Sequence, residues 1–295
     1  MSLREDITDS IVRLIETGAA RGSSSPLWDA AVSRGLPINY ATRQPYSGIN
    51  VPLLWGAAQE RGVERNEWLT FKQAEALGAN VRKGAKGVLC AFYKRASTGE
   101  GAGDVTEGET VDGGSRVVSM LKPFWLFNVA DVQGLRASAP TALPFDPIGS
   151  AEQLLERSGV PVTWGGTRAF YRAASDEIFM PARERFSTPV NANAVALHEL
   201  THASGHPSRL AREFGKRFGD AAYAFEELVA ELGSAVLVAH LGLPGATLEH
   251  HANYIESWLR VLRSDSSAIF AASRHANAAF QFIVGGAASE AAIAV

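Results

Sequence analysis

Asn191-Ala-Asn-Ala-Val-Ala-Leu-His198-Glu199-Leu200-Thr201-His202-Ala-Ser-Gly205 is the stretch whose reading decides how the C-terminal half of this 295-residue chain folds. Residues four apart on a helix lie one turn above each other, so His198 and His202 project from the same face. Two neutral imidazoles at that spacing can clasp one zinc ion, and Glu199, directly after the first, is placed to act as general base on a water held there. Ser187, Thr188 and Pro189 supply a cap and an early-turn proline, an alanine-rich apolar run follows, and Gly205 marks the stop. All seven histidines of the chain lie at or after position 198. That skew favours a metal helix over an ordinary helix with two surface histidines.

A zinc site of this kind needs a third protein ligand. Tyr223 to Val238 reads as a second helix, apolar around most of its circumference and therefore buried, and buried carboxylates need a cation or hydrogen-bond partners. Glu227 and Glu231 share one face at i, i+4, while Phe225, Val229, Leu232 and Val236 form another. Glu227 is the expected third ligand, and Glu231 the acceptor that orients a ligand histidine from behind. Glu226 is the alternative ligand, because spacing leaves open which of two adjacent glutamates points inward. The extended pattern with a third histidine is ruled out by position: Gly205 fits, but the place for that histidine holds Ser208.

The remaining composition bounds the answer. Apolar content of 46% is ample for a core in two domains or one large one. A net charge of −3 does not by itself suggest a nucleic-acid binder. The single Cys90 cannot form an internal disulfide. Met1-Ser-Leu-Arg-Glu-Asp-Ile lacks the apolar core of a signal peptide, and no run approaches a membrane span, so a cytoplasmic location is expected.

Upstream, Ile7, Ile11, Leu14 and Ile15 predict a helix over residues 5–17 that Gly18 ends, with a break at Gly22–Pro26. Asn50 is the expected cap of a helix through Leu53, Leu54, Trp55 and Ala58 to Gly62. Thr70 and Gln73 form a capping box for the next. The basic turn Val81–Gly87 feeds a strand over Val88–Lys94. Residues 99–114, glycine-rich and acidic, read as a mobile loop, across which a strand over Val117–Val129 pairs back. Residues 136–150 hold three prolines and read as a linker. Beyond it come a helix over 151–158 and short strands at Val160–Trp164, Ala169–Arg172 and Glu177–Met180. Ile178–Pro181 is expected to be an exposed edge strand that could take an extended peptide. Apolar helices through Trp258 and Phe282 complete the chain. The expected class is α+β: a small α+β domain over 1–135, a linker over 136–150, and a mainly helical domain with a short antiparallel sheet over 151–295.

The mean charge hides an asymmetry. Between Arg61 and Arg95 stand eight basic residues (Arg61, Arg65, Lys72, Arg82, Lys83, Lys86, Lys94, Arg95) against Glu64, Glu67 and Glu75. Trp68, Phe71, Phe92 and Tyr93 are interleaved with them. Cations for phosphates beside rings for bases are what a single-stranded nucleic acid requires, without sequence readout.

Both halves resemble one family. Pro45-Tyr-Ser-Gly-Ile-Asn50, Trp68-Leu-Thr-Phe-Lys-Gln-Ala74, Val81-Arg-Lys-Gly-Ala-Lys-Gly87 and the stretch Pro123–Val129 are similar to the N-terminal domain of ArdC-type antirestriction proteins. They are also similar to the N-terminal region of plasmid TraC-type primases. His198–His202, Gly205-His206, Arg209-Leu210 and Glu226–Glu231 resemble that family's zincin-like metallopeptidase domain. The resemblance implies a plasmid- or phage-borne protein that binds single-stranded DNA and protects incoming DNA from restriction during conjugation. It implies Arg43, Tyr46, Trp68, Lys72, Arg82, Lys83 and Lys86 as DNA contacts. It further implies one zinc per chain, with manganese as the alternative, on His198, His202 and Glu227, and Glu199 as catalytic base toward a peptide or protein substrate. Tyr223 or His206 are candidates to stabilise the oxyanion. The alternative is a DNA-coating module whose metal site is structural or vestigial. The acidic 99–114 stretch departs from what a DNA-binding face wants nearby.

Overall fold

The computed structural model describes residues 2–20, 34–97, 109–112, 115–136, 146–213, 221–243 and 255–285. The expected break at Gly22–Pro26, residues 99–108 and 113–114 of the acidic stretch, and residues 137–145 of the linker lie outside them.

Ile7, Ile11 and Ile15 specify helix α1 (Leu3–Ala20), which buries all three. The helix runs two residues past Gly18, the expected stop. Gly18 is buried, and tertiary packing overrides its modest helix penalty of about 1 kcal/mol. After β1 (Ile38–Asn39) comes α2 (Asn50–Arg61), ended by Gly62 at φ 61°. Asn50 does not cap this helix. It is the first helical residue, and its amide pairs with the backbone of Ala91, Nδ2 donating to the carbonyl at 2.9 Å and Oδ1 accepting from the N–H at 3.0 Å. The side chain thus satisfies a strand edge that would otherwise be orphaned.

β2 (Glu67–Leu69) leads into α3 (Phe71–Ala76), whose Thr70–Gln73 capping box forms as expected. β3 (Asn80–Val81), β4 (Val88–Ser97), β5 (Glu109–Asp112), β6 (Ser115–Asn128) and β7 (Val132–Gln133) follow. The main sheet has the order β1-β2-β6-β4, with β5 also on β6; β1 and β2 run parallel and the other pairs antiparallel. Its spine is the β4–β6 ribbon, paired from Val88↔Leu126 to Ser97↔Val117. The expected loop is therefore partly strand, since β5 falls within it.

Asp146 accepts from the Gly149 N–H at 2.9 Å and caps α4 (Pro147–Arg157), so the last residues of the expected linker are helical. β8 (Val162–Gly166), β9 (Phe170–Arg172) and β10 (Glu177–Pro181) form a sheet of order β8-β10-β9. Two expectations fail here. The sheet is mixed rather than antiparallel, because β10 runs parallel to β8. β10 is also its central strand and not an exposed edge: Ile178 and Met180 alternate inward and are fully buried. The edges are β8 and β9.

The remainder is helical: α5 (Pro189–Ser204), α6 (Ala221–Leu241), α7 (Ile255–Ser264) and α8 (Ala268–Gly285). α6 is buried along almost its whole length. At Gly233 it comes so close to α5 that a Cβ there would lie 2.5 Å from Thr201 Cγ2. The largest core cluster joins both halves, with Ile7, Ile11, Ile15 and Trp55 alongside Leu228, Trp258 and Ile269. Thr8 donates to the Ser266 carbonyl at 2.8 Å, and Glu16 pairs with Arg263. Two smaller clusters, around Trp68–Cys90–Leu126 and Leu69–Ala79–Val132, stabilise the N-terminal sheet. No helix among the described residues is long and apolar enough to cross a membrane.

Candidate metal centre

The centre is built on the facing sides of α5 and α6. Thr188 caps α5 by accepting from the Asn191 N–H at 3.1 Å, Pro189 occupies the first turn and Gly205 closes the helix, as its sequence dictates. His198 and His202 emerge one turn apart with ring centroids 4.9 Å from each other. Across from them on α6, the Glu227 carboxylate meets both: Oε2 is 3.6 Å from His198 Nε2, and Oε1 is 3.7 Å from His202 Nε2. The donor atoms of these three residues all lie within 4.8 Å of one another.

Two ligand atoms each about 2.0–2.1 Å from a tetrahedral ion are about 3.3–3.4 Å apart, close to the separations seen here. The far side of each ring fits as well. His202 Nδ1 lies 3.2 Å from Glu226 Oε1, and His198 Nδ1 lies 3.8 Å from Glu231 Oε2. The Glu226 carboxylate behind His202 Nδ1 favours the tautomer that leaves the Nε2 lone pair facing a metal, while Glu231 stands behind His198 beyond hydrogen-bond length. The residues present therefore fit a divalent ion, with three protein donors.

The adjacent glutamates are divided by this geometry. Glu227 faces the common point, whereas Glu226 lies behind His202 and is gripped by Arg212, which donates from Nε at 3.0 Å and Nη2 at 2.8 Å. Arg212 is itself buried and also reaches the Ser204 hydroxyl at 2.9 Å and the Thr201 carbonyl at 2.6 Å, binding the end of α5 to α6. Sequence reasoning missed Arg212. The available signal was that two neighbouring acids on a buried helix cannot both point one way, so the second needs a cation of its own.

Electrostatics follow from this crowding. Burial opposes charge on His202, yet its hydrogen bond to Glu226 and the charges of Glu227, Glu226 and Glu199 outweigh burial and raise its pKa to about 9. Burial would raise the Glu227 carboxyl, but a hydrogen bond from His198, the charges of His202 and His198 and a bond from Tyr223 pull it down to about 2. Glu226 is likewise lowered: burial is overcome by His202 and Arg212. Glu199 is buried on the same helix and adds its charge to the group.

A second cluster ties the β9–β10 turn to the segment after α5. Asp176, at φ 49°, is held by Arg209, whose Nη1 reaches it at 3.0 Å while Nε donates to the Ala203 carbonyl at 2.7 Å. Tyr171 donates to Asp176 at 2.8 Å, and His206 Nδ1 lies 4.0 Å from it. His206, one of the two oxyanion candidates, thus sits on the Asp176 side, while Tyr223 sits beside Glu227.

The expected DNA contacts do not form one set. Lys72, Arg82, Lys83 and Lys86 are exposed. Arg43 is exposed and shares Glu67 with Arg65. Tyr46 is half-buried, its hydroxyl accepting from Asn39 Nδ2 at 2.9 Å. Trp68 is a correction. Every residue of β2 is buried, its ring is fully enclosed, and Nε1 donates to Asn66 at 2.9 Å, so it has no face to offer a base.

Comparison with known proteins adds two family matches. Residues 1–127 match the family described as the N-terminal domain of anti-restriction factor ArdC, and residues 149–275 match a zincin-like metallopeptidase family. The chain is 37% identical over 273 residues to the protein y4eC of Sinorhizobium fredii, covering 92% of this chain and 88% of that one. It is 32% identical to two Escherichia coli DNA primases TraC over 290 and 293 residues, but spans only 27% and 20% of their lengths. Among solved structures it is similar to the antirestriction ArdC protein of plasmid R388. The Mn(II)-bound form gives a TM-score of 0.76 at 30% identity, covering 98% of this chain and 100% of that one. The metal-free form gives 0.75 at 31%, covering 96% and 97%.

Proposed function

This chain belongs to the ArdC family of antirestriction proteins, and from that premise we propose that it binds single-stranded DNA without sequence preference, protects plasmid DNA entering by conjugation, and carries a metallopeptidase centre. In this reading, residues 1–135 meet DNA and residues 151–295 carry the peptidase, joined by 136–150. The protein acts in the cytoplasm, where incoming strands meet restriction enzymes.

The observation that carries the peptidase reading is the convergence of His198, His202 and Glu227. Three protein donors leave a position open for water or substrate, as catalytic sites do, whereas structural sites close with four. A bound divalent ion, zinc or the manganese seen in the R388 relative, would polarise a peptide carbonyl and acidify a water. Glu226 holds the His202 ring in its ligating orientation, and Glu231 stands behind His198. Glu199 takes the proton from the attacking water and passes it to the leaving amine. On the DNA side, Arg43, Lys72, Arg82, Lys83 and Lys86 meet phosphates, with Tyr46 beside them.

A second reading has some support: the three donors join two long core helices, so the ion could serve stability alone while the chain merely coats DNA. Glu199→Gln separates the two. Metal content should stay at that of the native protein while hydrolysis of a denatured protein substrate disappears. Unchanged hydrolysis would remove Glu199 from its role, and a native protein with no hydrolysis at all would leave the DNA-coating reading. Protection in a mating assay with the same variant then shows whether peptidase chemistry is needed for antirestriction.

A further inference from the structure

All five large apolar side chains that are exposed among the described residues (Phe71, Leu77, Phe92, Tyr93 and Trp125) fall in the N-terminal half, so the burial of Trp68 does not leave this module without rings. Trp125 is the most exposed of them at 54%. One side of its indole is backed: a Cβ at Gly87 would lie 3.2 Å from both Trp125 Cε3 and Phe127 Cζ, so the glycine lets the ring lie against the backbone with its other side open. A rigid, half-open ring is a stacking platform.

That ring borders a cleft of about 520 Å³ between α1, α2 and the start of β4, within the ~300–1,000 Å³ usual for small-ligand sites. The cleft walls carry Asp6, Asp9 and Glu60 against Arg13 and Arg61. Arg61 is already occupied, by the Lys86 carbonyl and by Asp131 at 3.4 Å. Asp6 is half-buried in the wall while Asp9 and Glu60 are exposed along it, so the cleft carries three carboxylates against two guanidinium groups and disfavours a phosphate. The adjoining turn is the reverse: Arg82, Lys83 and Lys86 are exposed and lead directly to Gly87 at the cleft wall. Cations on that turn and carboxylates along the cleft suit a nucleotide whose backbone follows the turn while its base enters.

We infer that this cleft is a base-binding subsite, in which one unstacked nucleobase lies on Trp125 and presents amino hydrogens to Asp6 and Asp9. The inference rests on the single-strand reading above. Cytosine and adenine offer an exocyclic amino donor to a carboxylate, whereas thymine offers a carbonyl oxygen at that place. The subsite therefore discriminates against thymine within otherwise unspecific binding. A cationic peptide would also suit the carboxylates and the ring, but the adjoining basic turn repels it.

The test is an anisotropy titration of the full chain with labelled oligo(dC) and oligo(dT) of equal length at neutral pH and fixed salt. The native protein should favour oligo(dC). Trp125→Ala should weaken oligo(dC) binding by roughly 5- to 100-fold, and Trp125→Phe by no more than about threefold, because a ring remains. Asp6→Asn with Asp9→Asn should bring the two oligonucleotides together without changing the salt dependence. The inference is overturned if Trp125→Ala binds oligo(dC) like the native protein, if oligo(dT) is preferred, or if a short oligo-arginine peptide alone occupies the cleft. A native protein that binds neither oligonucleotide overturns both this inference and the single-strand reading.

Discussion

Replacing Glu226 by Gln should damage both the fold and the metal centre, for separable reasons. Glu226 sits between the Arg212 guanidinium and His202 Nδ1, with Glu226 and Arg212 side chains only 5% and 3% exposed. Solvent cannot take over either role at that depth. A glutamine amide would bring N–H groups against donors on one side, and Arg212 would keep a buried charge without its counter-ion. Breaking a buried pair in this way costs about 3–5 kcal/mol. Losing the acceptor behind a ligand histidine costs a further 10- to 100-fold in metal affinity by general experience. Equilibrium unfolding in denaturant with chelator present measures the first, and competition against a chromophoric chelator the second. The double change Glu226→Leu with Arg212→Met separates them, because apolar partners should recover most of the stability while the metal affinity stays low. A Glu226→Gln protein that loses under about 1 kcal/mol and binds metal as tightly as the native one would refute the reasoning.

Two further outcomes follow from the same geometry. Gly233→Ala places a methyl 2.5 Å from Thr201 Cγ2 and should destabilise the protein by about 1–3 kcal/mol through overpacking, while also loosening metal binding by prising α6 from α5. Unchanged stability in a thermal melt would mean the helices cross with more room than they show. The second concerns pH. In the metal-free protein His202 stays protonated up to about 9, against a reference of 6.5, so its charge stabilises the metal-free fold fully below 6.5 and ceases to as pH rises through 9. An incoming ion must displace that proton. Metal affinity should therefore rise about tenfold per pH unit up to 9 and level off above it, with about one proton released per ion in calorimetry across buffers. A flat profile between pH 7 and 9 would contradict the raised pKa.

The metal helix was legible because three local signals agreed: a cap at Thr188, a stop at Gly205, and histidines four apart. The choice of Glu227 over Glu226 was not settled by spacing, since helical phase alone does not say how α6 is rotated against its neighbour. Arg212, which takes up Glu226, lies 14 residues away and comes into place only through tertiary packing. Strand order was hidden for a related reason. Ile178–Pro181 is adjacent to the metal helix in sequence, yet its neighbours are decided by a parallel crossover from β8. Asn50 has a cap's composition, but the unpaired backbone of Ala91 competed for its amide and won. Trp68 looked like a stacking ring because basic residues surround it in sequence. A three-residue strand paired on both sides buries every side chain, and alternation could not show that. The continuous core joining α1 to the C-terminal helices was equally invisible to periodicity, which reports each helix's buried face and not what covers it.

The most direct measurement is metal content of chelator-washed, remetallated protein beside Glu227→Ala, by elemental analysis with circular dichroism on the same samples. About one divalent ion per native chain is expected, and close to none in a variant that is still folded. A folded native protein that holds no ion, or a Glu227→Ala protein that keeps its ion, would contradict it.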